Sequence, residues 1–202
     1  MASDHEPTID WTNLPEDTSP LSLWHVLHDG DLLAVESDLL DRTVTLQFDV
    51  GYLRDFHHLP ENTRFTIVVC GVQSVRALHS VPWPGGCAAS NEMTNAERNL
   101  RISEYHSKWR EESQSWTEFE RLAKGDDIEV SNATLVGSSD IVALKLGLLV
   151  SGESYCEAYI RGEGVACYIG ETQVSPEEFI ATGEAYWNAF AEKAKNRVIP
   201  SG

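Results

Sequence analysis

From Thr43 to Val50 apolar and polar residues alternate without a break. Val44, Leu46, Phe48 and Val50 fall on one side of an extended chain, and Thr43, Thr45, Gln47 and Asp49 on the other. Successive side chains of a strand point to opposite faces, so this run fits a strand with one dry and one wet face and does not fit a helix. The same period returns at 141–150, where Val142, Leu144, Leu146, Leu148 and Val150 share a side. Strands with one wet face belong to antiparallel sheets. Whatever else the chain does, it is built around one.

Other segments extend the pattern. Leu33 and Val35 alternate with polar neighbours and pair with the 43–50 run through a turn near Leu40, Asp41 and Arg42. Residues 64–78 read as one bent third strand: Phe65, Ile67 and Val69 share a face until Gly71, where the apolar positions shift to Val72 and Val75, as a β-bulge would cause. A loop holding Gly51, His57, His58 and Pro60 precedes it. Strands follow at 128–136, 155–161 and 165–169, the last two joined by Gly162-Glu163 as a tight hairpin. That hairpin would set Cys156, Ala158 and Ile160 against Val165, Cys167 and Ile169.

Helical signals sit outside these runs. Ser19 and Pro20 read as cap and first residue of a short helix reaching Leu27. Tyr105, Trp109, Trp116, Phe119 and Leu122 recur at near-helical spacing in a segment that Gly125 ends, which predicts a helical insertion over about 95–124. Ser175-Pro176-Glu177-Glu178 carries a capping box, and Phe179, Gly183, Tyr186, Trp187, Phe190 and Ala194 then form an aromatic stripe to lie on the sheet. The expected fold is α+β: an antiparallel sheet or open barrel of about seven strands, packed by a C-terminal helix, with the insertion between strands 3 and 4. Residues 1–20 are expected to be an acidic arm, 21–197 a single domain and 198–202 a tail.

Composition narrows function by exclusion. The chain has 202 residues, 42% of them hydrophobic, enough for one substantial core. It lacks both an apolar run of the ~20 residues a membrane span needs and the basic, apolar start of a secretory signal. A cytoplasmic, membrane-free protein is the expectation. Cys70, Cys87, Cys156 and Cys167 are too far apart for a CxxC site and read as reduced thiols. The net charge is −17, and the first basic residue is Arg42, after ten Asp and Glu. Such a surface repels nucleic acid and favours a cationic partner.

No Walker loop, nucleophile elbow or dinucleotide fingerprint is present. The densest polar cluster is His25-Val26-Leu27-His28-Asp29-Gly30-Asp31. On one helical turn His25 and His28, with Asp29 or Asp31 and a fourth ligand such as His57 or His58, would make a metal site. His28-Asp29 resembles the paired residues of the HD-type metal-dependent phosphohydrolases, whose further His and Asp motifs the chain lacks. A plain turn at Asp29-Gly30 accounts for the same residues without a ligand.

The stretch Leu27-His28-Asp29-Gly30-Asp31-Leu32-Leu33-Ala34-Val35, followed by Val44-Thr45-Leu46-Gln47-Phe48, resembles the opening hairpin of small bacterial domains that include immunity proteins of toxin systems. The resemblance implies a stoichiometric, non-enzymatic binder that occludes a basic protein, with no cofactor. Asp29, Asp31, Glu36 and Asp38 are then the candidate contacts, with Trp24 and Trp83 as aromatic anchors. The alternative is a small-molecule or metal-binding protein, with a hydrolase as one form of it, built on His25, His28 and Asp31. Self-association as a homodimer through the aromatic stripe is a further option.

Overall fold

The computed structural model describes residues 19–38, 40–80, 94, 96–97, 111–125, 127–137, 141–151 and 154–195. Trp83, Cys87, Tyr105, Trp109 and the arm up to residue 18 lie outside them. In chain order the elements are β1 (Ser19–Ser22), α1 (Trp24–Leu27), β2 (Asp31–Asp38), β3 (Thr43–Asp49), α2 (Gly51–Phe56), β4 (Phe65–Cys70), β5 (Ser74–Ser80), β6 (Glu111–Gln114), α3 (Trp116–Gly125), β7 (Ile128–Gly137), β8 (Val142–Val150), β9 (Ser154–Gly162), β10 (Gly164–Ile169), β11 (Thr172–Val174) and α4 (Pro176–Lys195).

The fold is α+β with an open antiparallel sheet and a C-terminal helix. Ten strands run in the order β11-β10-β4-β3-β2-β7-β8-β9-β5-β6, and β1 adds to β7, so the sheet has eleven strands where about seven were expected. Five strands of that order lie on each side of the β2–β7 junction, with β1 as a sixth on the β7 side, and the junction rests on one register pair, Asp31 opposite Glu129. Both halves feed one continuous core, in which Phe48, Phe65, Phe119 and Phe179 are fully buried. Each such side chain contributes roughly 1.5–3 kcal/mol by leaving water.

Much of the strand surplus comes from segments that period alone assigned otherwise. Residues 64–78 are two strands, not one bent strand. Gly71, at φ +59, turns the chain out of β4, and β5 pairs in the opposite half of the sheet. The bulge reading fails because Val72 bonds back to Arg42 O at 2.8 Å instead of continuing the β4 ladder. Gly162-Glu163 is likewise a crossing and not a hairpin: β9 pairs with β8 and β5, and β10 with β4 and β11. A Cβ on Gly162 would come within 2.6 Å of Cys70 O, and Glu163 N donates to that same carbonyl at 2.8 Å. The glycine is needed because the ends of β4 and β9 meet there. Cys156 and Cys167 consequently sit on strands that do not pair, both as buried free thiols.

Three further corrections concern helices. Ser19 to Ser22 pairs with β7, from Gly137 to Thr134, so the expected Ser19-capped helix shrinks to the single turn of α1, which has no side-chain cap. The proline is tolerated at Pro20 because β1 sits at an edge, with β7 as its one described partner. The loop after Val50 contains α2, where Leu53 is buried. Of the predicted insertion, 116–125 is the helix α3, and 111–114 is a strand paired with β5. Ser115 Oγ accepts from Glu118 N at 3.2 Å at the start of α3, whose Phe119 and Ala123 are buried where the helix packs on β2 and β5.

The capping box of α4 forms as the sequence requires: Ser175 N donates to Glu178 Oε2 at 2.9 Å, and Glu178 N to Ser175 Oγ at 3.1 Å. Phe179 then meets Phe65 edge-on at 6.0 Å. Beyond that point the aromatic stripe leaves the sheet. It packs on α1 and α2, and its far end, Phe190, is 55% exposed.

Candidate functional site

The acidic residues of β2 are brought into one row by an irregularity of the strand. In a regular strand Asp31 and Glu36, an odd number of residues apart, would face opposite ways. Between Leu32 and Ala34 the pairing with β3 slips by one, leaving Leu33 unpaired and exposed. Asp31, Ala34, Glu36 and Asp38 therefore lie opposite Asp49, Gln47, Thr45 and Thr43, all on the wet face of β3. The same slip turns Leu32 inward beside Val35, where simple alternation had placed Leu33.

Electrostatics differ along this row. Asp49 is ion-paired, since its two oxygens take the guanidinium of Arg54 and, at 3.2 Å, that of Arg64. Asp31 has no such partner among the described residues, and it faces Glu129 across the β2–β7 junction. Its carboxyl is raised above the ordinary value, first by partial burial and then by the charges of Asp127 and Asp49. Asp38 spends one oxygen on the turn that follows, accepting from Leu40 N at 2.8 Å and Asp41 N at 3.1 Å. Asp29 stands apart from the row, in a turn at φ 57 where its amide donates to Val130 O at 3.1 Å.

Beside this row, α1 is locked to α4 by aromatic packing. The Trp24 ring stacks on His28 at 4.4 Å and lies 5.1 Å from Trp187. Trp187 Nε1 donates to His25 O at 2.9 Å, and the Tyr52 hydroxyl donates to Val26 O at 3.2 Å. Burial, with the Asp29 charge behind it, pushes the Tyr52 phenol well above its usual range. His57 Nε2 donates to Thr182 O at 2.9 Å, which ties α2 to α4 and fixes that ring's tautomer.

The proposed metal ligands are thus dispersed into other roles. His28 places Nε2 3.2 Å from Asp29 Oδ1, while its Nδ1 is buried with no partner. His57 is spent on the α4 backbone, and His58 lies in the turn after α2 at φ 53. Among the described residues no three His, Cys, Asp or Glu side chains form a group that could hold a metal ion. Trp24 packs more than it projects, and Trp83 lies outside the described residues. Sequence reasoning missed Asp127 and Glu129, which reach Asp31 only through the β2–β7 pairing. No local signal marks that contact.

Compared with protein-family models, curated proteins and solved structures, the chain matches none of them. Among the described residues no helix is long and apolar enough to cross a membrane.

Proposed function

We propose that this chain is a non-enzymatic binding protein that presents the outer face of β2 to a basic protein, as an immunity-type inhibitor would. The observation that carries the reading is the row Asp31, Glu36, Asp38, aligned by the slip at Leu33 and held on a strand paired through seven positions with β3. A rigid row of carboxylates is a charge arrangement that a cation relieves. Asp31, flanked by Asp127, Asp49 and Glu129, is its most strained member. Complementary charge of this kind acts chiefly on association rate and specificity, and salt weakens it. Asp29, in the turn before β2, adds its charge from outside the row.

The test is capture of partners from cells of the source organism by the wild type and by Asp31→Lys/Glu36→Lys, followed by affinity measurement on the purified pair. The expected result is a basic protein whose association slows with salt and falls at least about tenfold in the variant, since truncating interface charges costs on the order of 1–2 kcal/mol each. A partner that binds both proteins equally, with the same salt slope, removes β2 as the docking face.

A further inference from the structure

The face of β5, β9 and β8 that bears Arg76, Tyr159 and Lys145 carries the opposite chemistry to the acidic row of β2. Arg76 lies opposite Tyr159, which lies opposite Lys145, and in the next row Ser74 lies opposite Arg161. Arg76 and Arg161 are thus diagonal neighbours on one face, within roughly 7–8 Å at the backbone and in easy reach of one another's side chains. Both are partly buried, and Nε of each is shut off from water with no hydrogen-bond partner.

That is unexpected in this chain. Acidic residues outnumber Lys and Arg by 32 to 15. Arg42, Arg54, Arg64, Arg121, Lys145 and Lys195 each hold a carboxylate. No carboxylate among the described residues pairs with Arg76 or Arg161. The carboxylates nearest Arg161 along the chain are committed elsewhere: Glu157 takes Lys145 Nζ at 3.1 Å and the Tyr159 hydroxyl, and Glu163 takes Arg42 at 3.1 Å. Two adjacent guanidiniums with donors withdrawn from water carry a desolvation cost that an anion would offset. Their planar forks match the oxygens of a phosphate group, and together their two charges balance its dianion.

We propose that Arg76 and Arg161 form a binding site for a phosphate group, separate from the acidic row of β2 and independent of the reading drawn from it. Lys145, fixed by Glu157 and lying 5.4 Å from the centre of the Tyr159 ring, borders the site and orders its floor. Glu157 keeps that lysine neutralised, so the two arginines supply the unspent charge.

The test is a titration of the isotope-labelled full chain with inorganic phosphate, read at the arginine Nε–H resonances, with chloride at matched ionic strength as reference. The Arg76 and Arg161 signals, assigned from Arg76→Lys and Arg161→Lys, shift saturably with phosphate and stay fixed in chloride. Arg76→Met and Arg161→Met keep the apolar stem and each weaken binding about tenfold or more, the loss expected for a charge-assisted hydrogen bond. Resonances unmoved by phosphate overturn the proposal in the wild type alone, whatever the variants do. So does equal thermal stabilisation of wild type and double variant by phosphate, which is the signature of general exclusion from the protein surface. Adenosine monophosphate run alongside identifies the source: tighter binding than phosphate assigns the site to a phosphomonoester, and equal or weaker binding assigns it to the free ion.

Discussion

Gly183 of α4 lies directly against the peptide of His25 in α1: a Cβ at this position would overlap the His25 carbonyl oxygen and stand 2.8 Å from Val26 N. The same carbonyl accepts the Trp187 indole one turn further along α4. The two helices are therefore in backbone contact, and the glycine is what allows it. Gly183→Ala should destabilise the protein by about 1–3 kcal/mol, the usual range for overpacking, despite the better helix propensity of alanine. Equilibrium denaturation followed by tryptophan fluorescence measures it. A variant as stable as the wild type would mean that α1 and α4 are not this close.

The Asp31 carboxyl has a raised proton affinity in the fold, so the folded chain holds that proton more tightly than the unfolded chain. By linkage, its ionisation opposes folding above the folded pKa, and the penalty fades as pH falls toward the unfolded value. Asp31→Asn should accordingly melt higher than the wild type at neutral pH. The difference should shrink on acidification through the carboxylate range. Thermal unfolding across that range tests the sign, and a variant that is less stable at neutral pH would show that Asp31 has a favourable partner.

How far the sequence revealed all this depended on distance along the chain. The β3 run and the α4 capping box were legible because their causes are local: a period of two, and side chains three residues from the amides they bind. Residues 64–78 misled because a glycine that interrupts an alternating run marks a bulge and a crossing equally well. What distinguishes them is the Val72 amide finding Arg42 O, thirty positions away in the chain. The candidate site followed the same rule. Asp31, Glu36 and Asp38 were readable as acidic residues, but their common face depends on the slip at Leu33, and the influence of Asp127 on a pairing across the sheet. Arg76 and Arg161 carry no sequence signal, because isolated arginines in strands form no motif.

Burial pushes the Cys156 thiol up to about 12 and the Cys167 thiol up to about 11, with the charges of Glu157 and Glu177 adding to the effect. Since the thiolate is the reactive form, neither should alkylate at neutral pH while the protein is folded. Iodoacetamide labelling with peptide mapping should leave both unmodified in native protein and modify both in denaturant. Native labelling as fast as in the unfolded chain would contradict their burial.

The N-terminus of α4 offers the most local test. Glu178 N donates to Ser175 Oγ, Ser175 N donates to the Glu178 carboxylate, and the next residue, Phe179, inserts beside Phe65. Ser175→Ala removes the acceptor for one of the otherwise unpaired amides of the first turn and should cost about 0.5–2 kcal/mol. Glu178→Ala removes the return bond together with a carboxylate that complements the helix dipole, worth about another 0.3–1 kcal/mol. Because each side chain orients the other, the double variant should lose less than the two single losses combined. Hydrogen exchange locates the effect: the Glu178 amide loses protection in Ser175→Ala while the amides of β3 keep theirs. Unchanged protection at Glu178 would mean that the serine hydroxyl does not hold that amide.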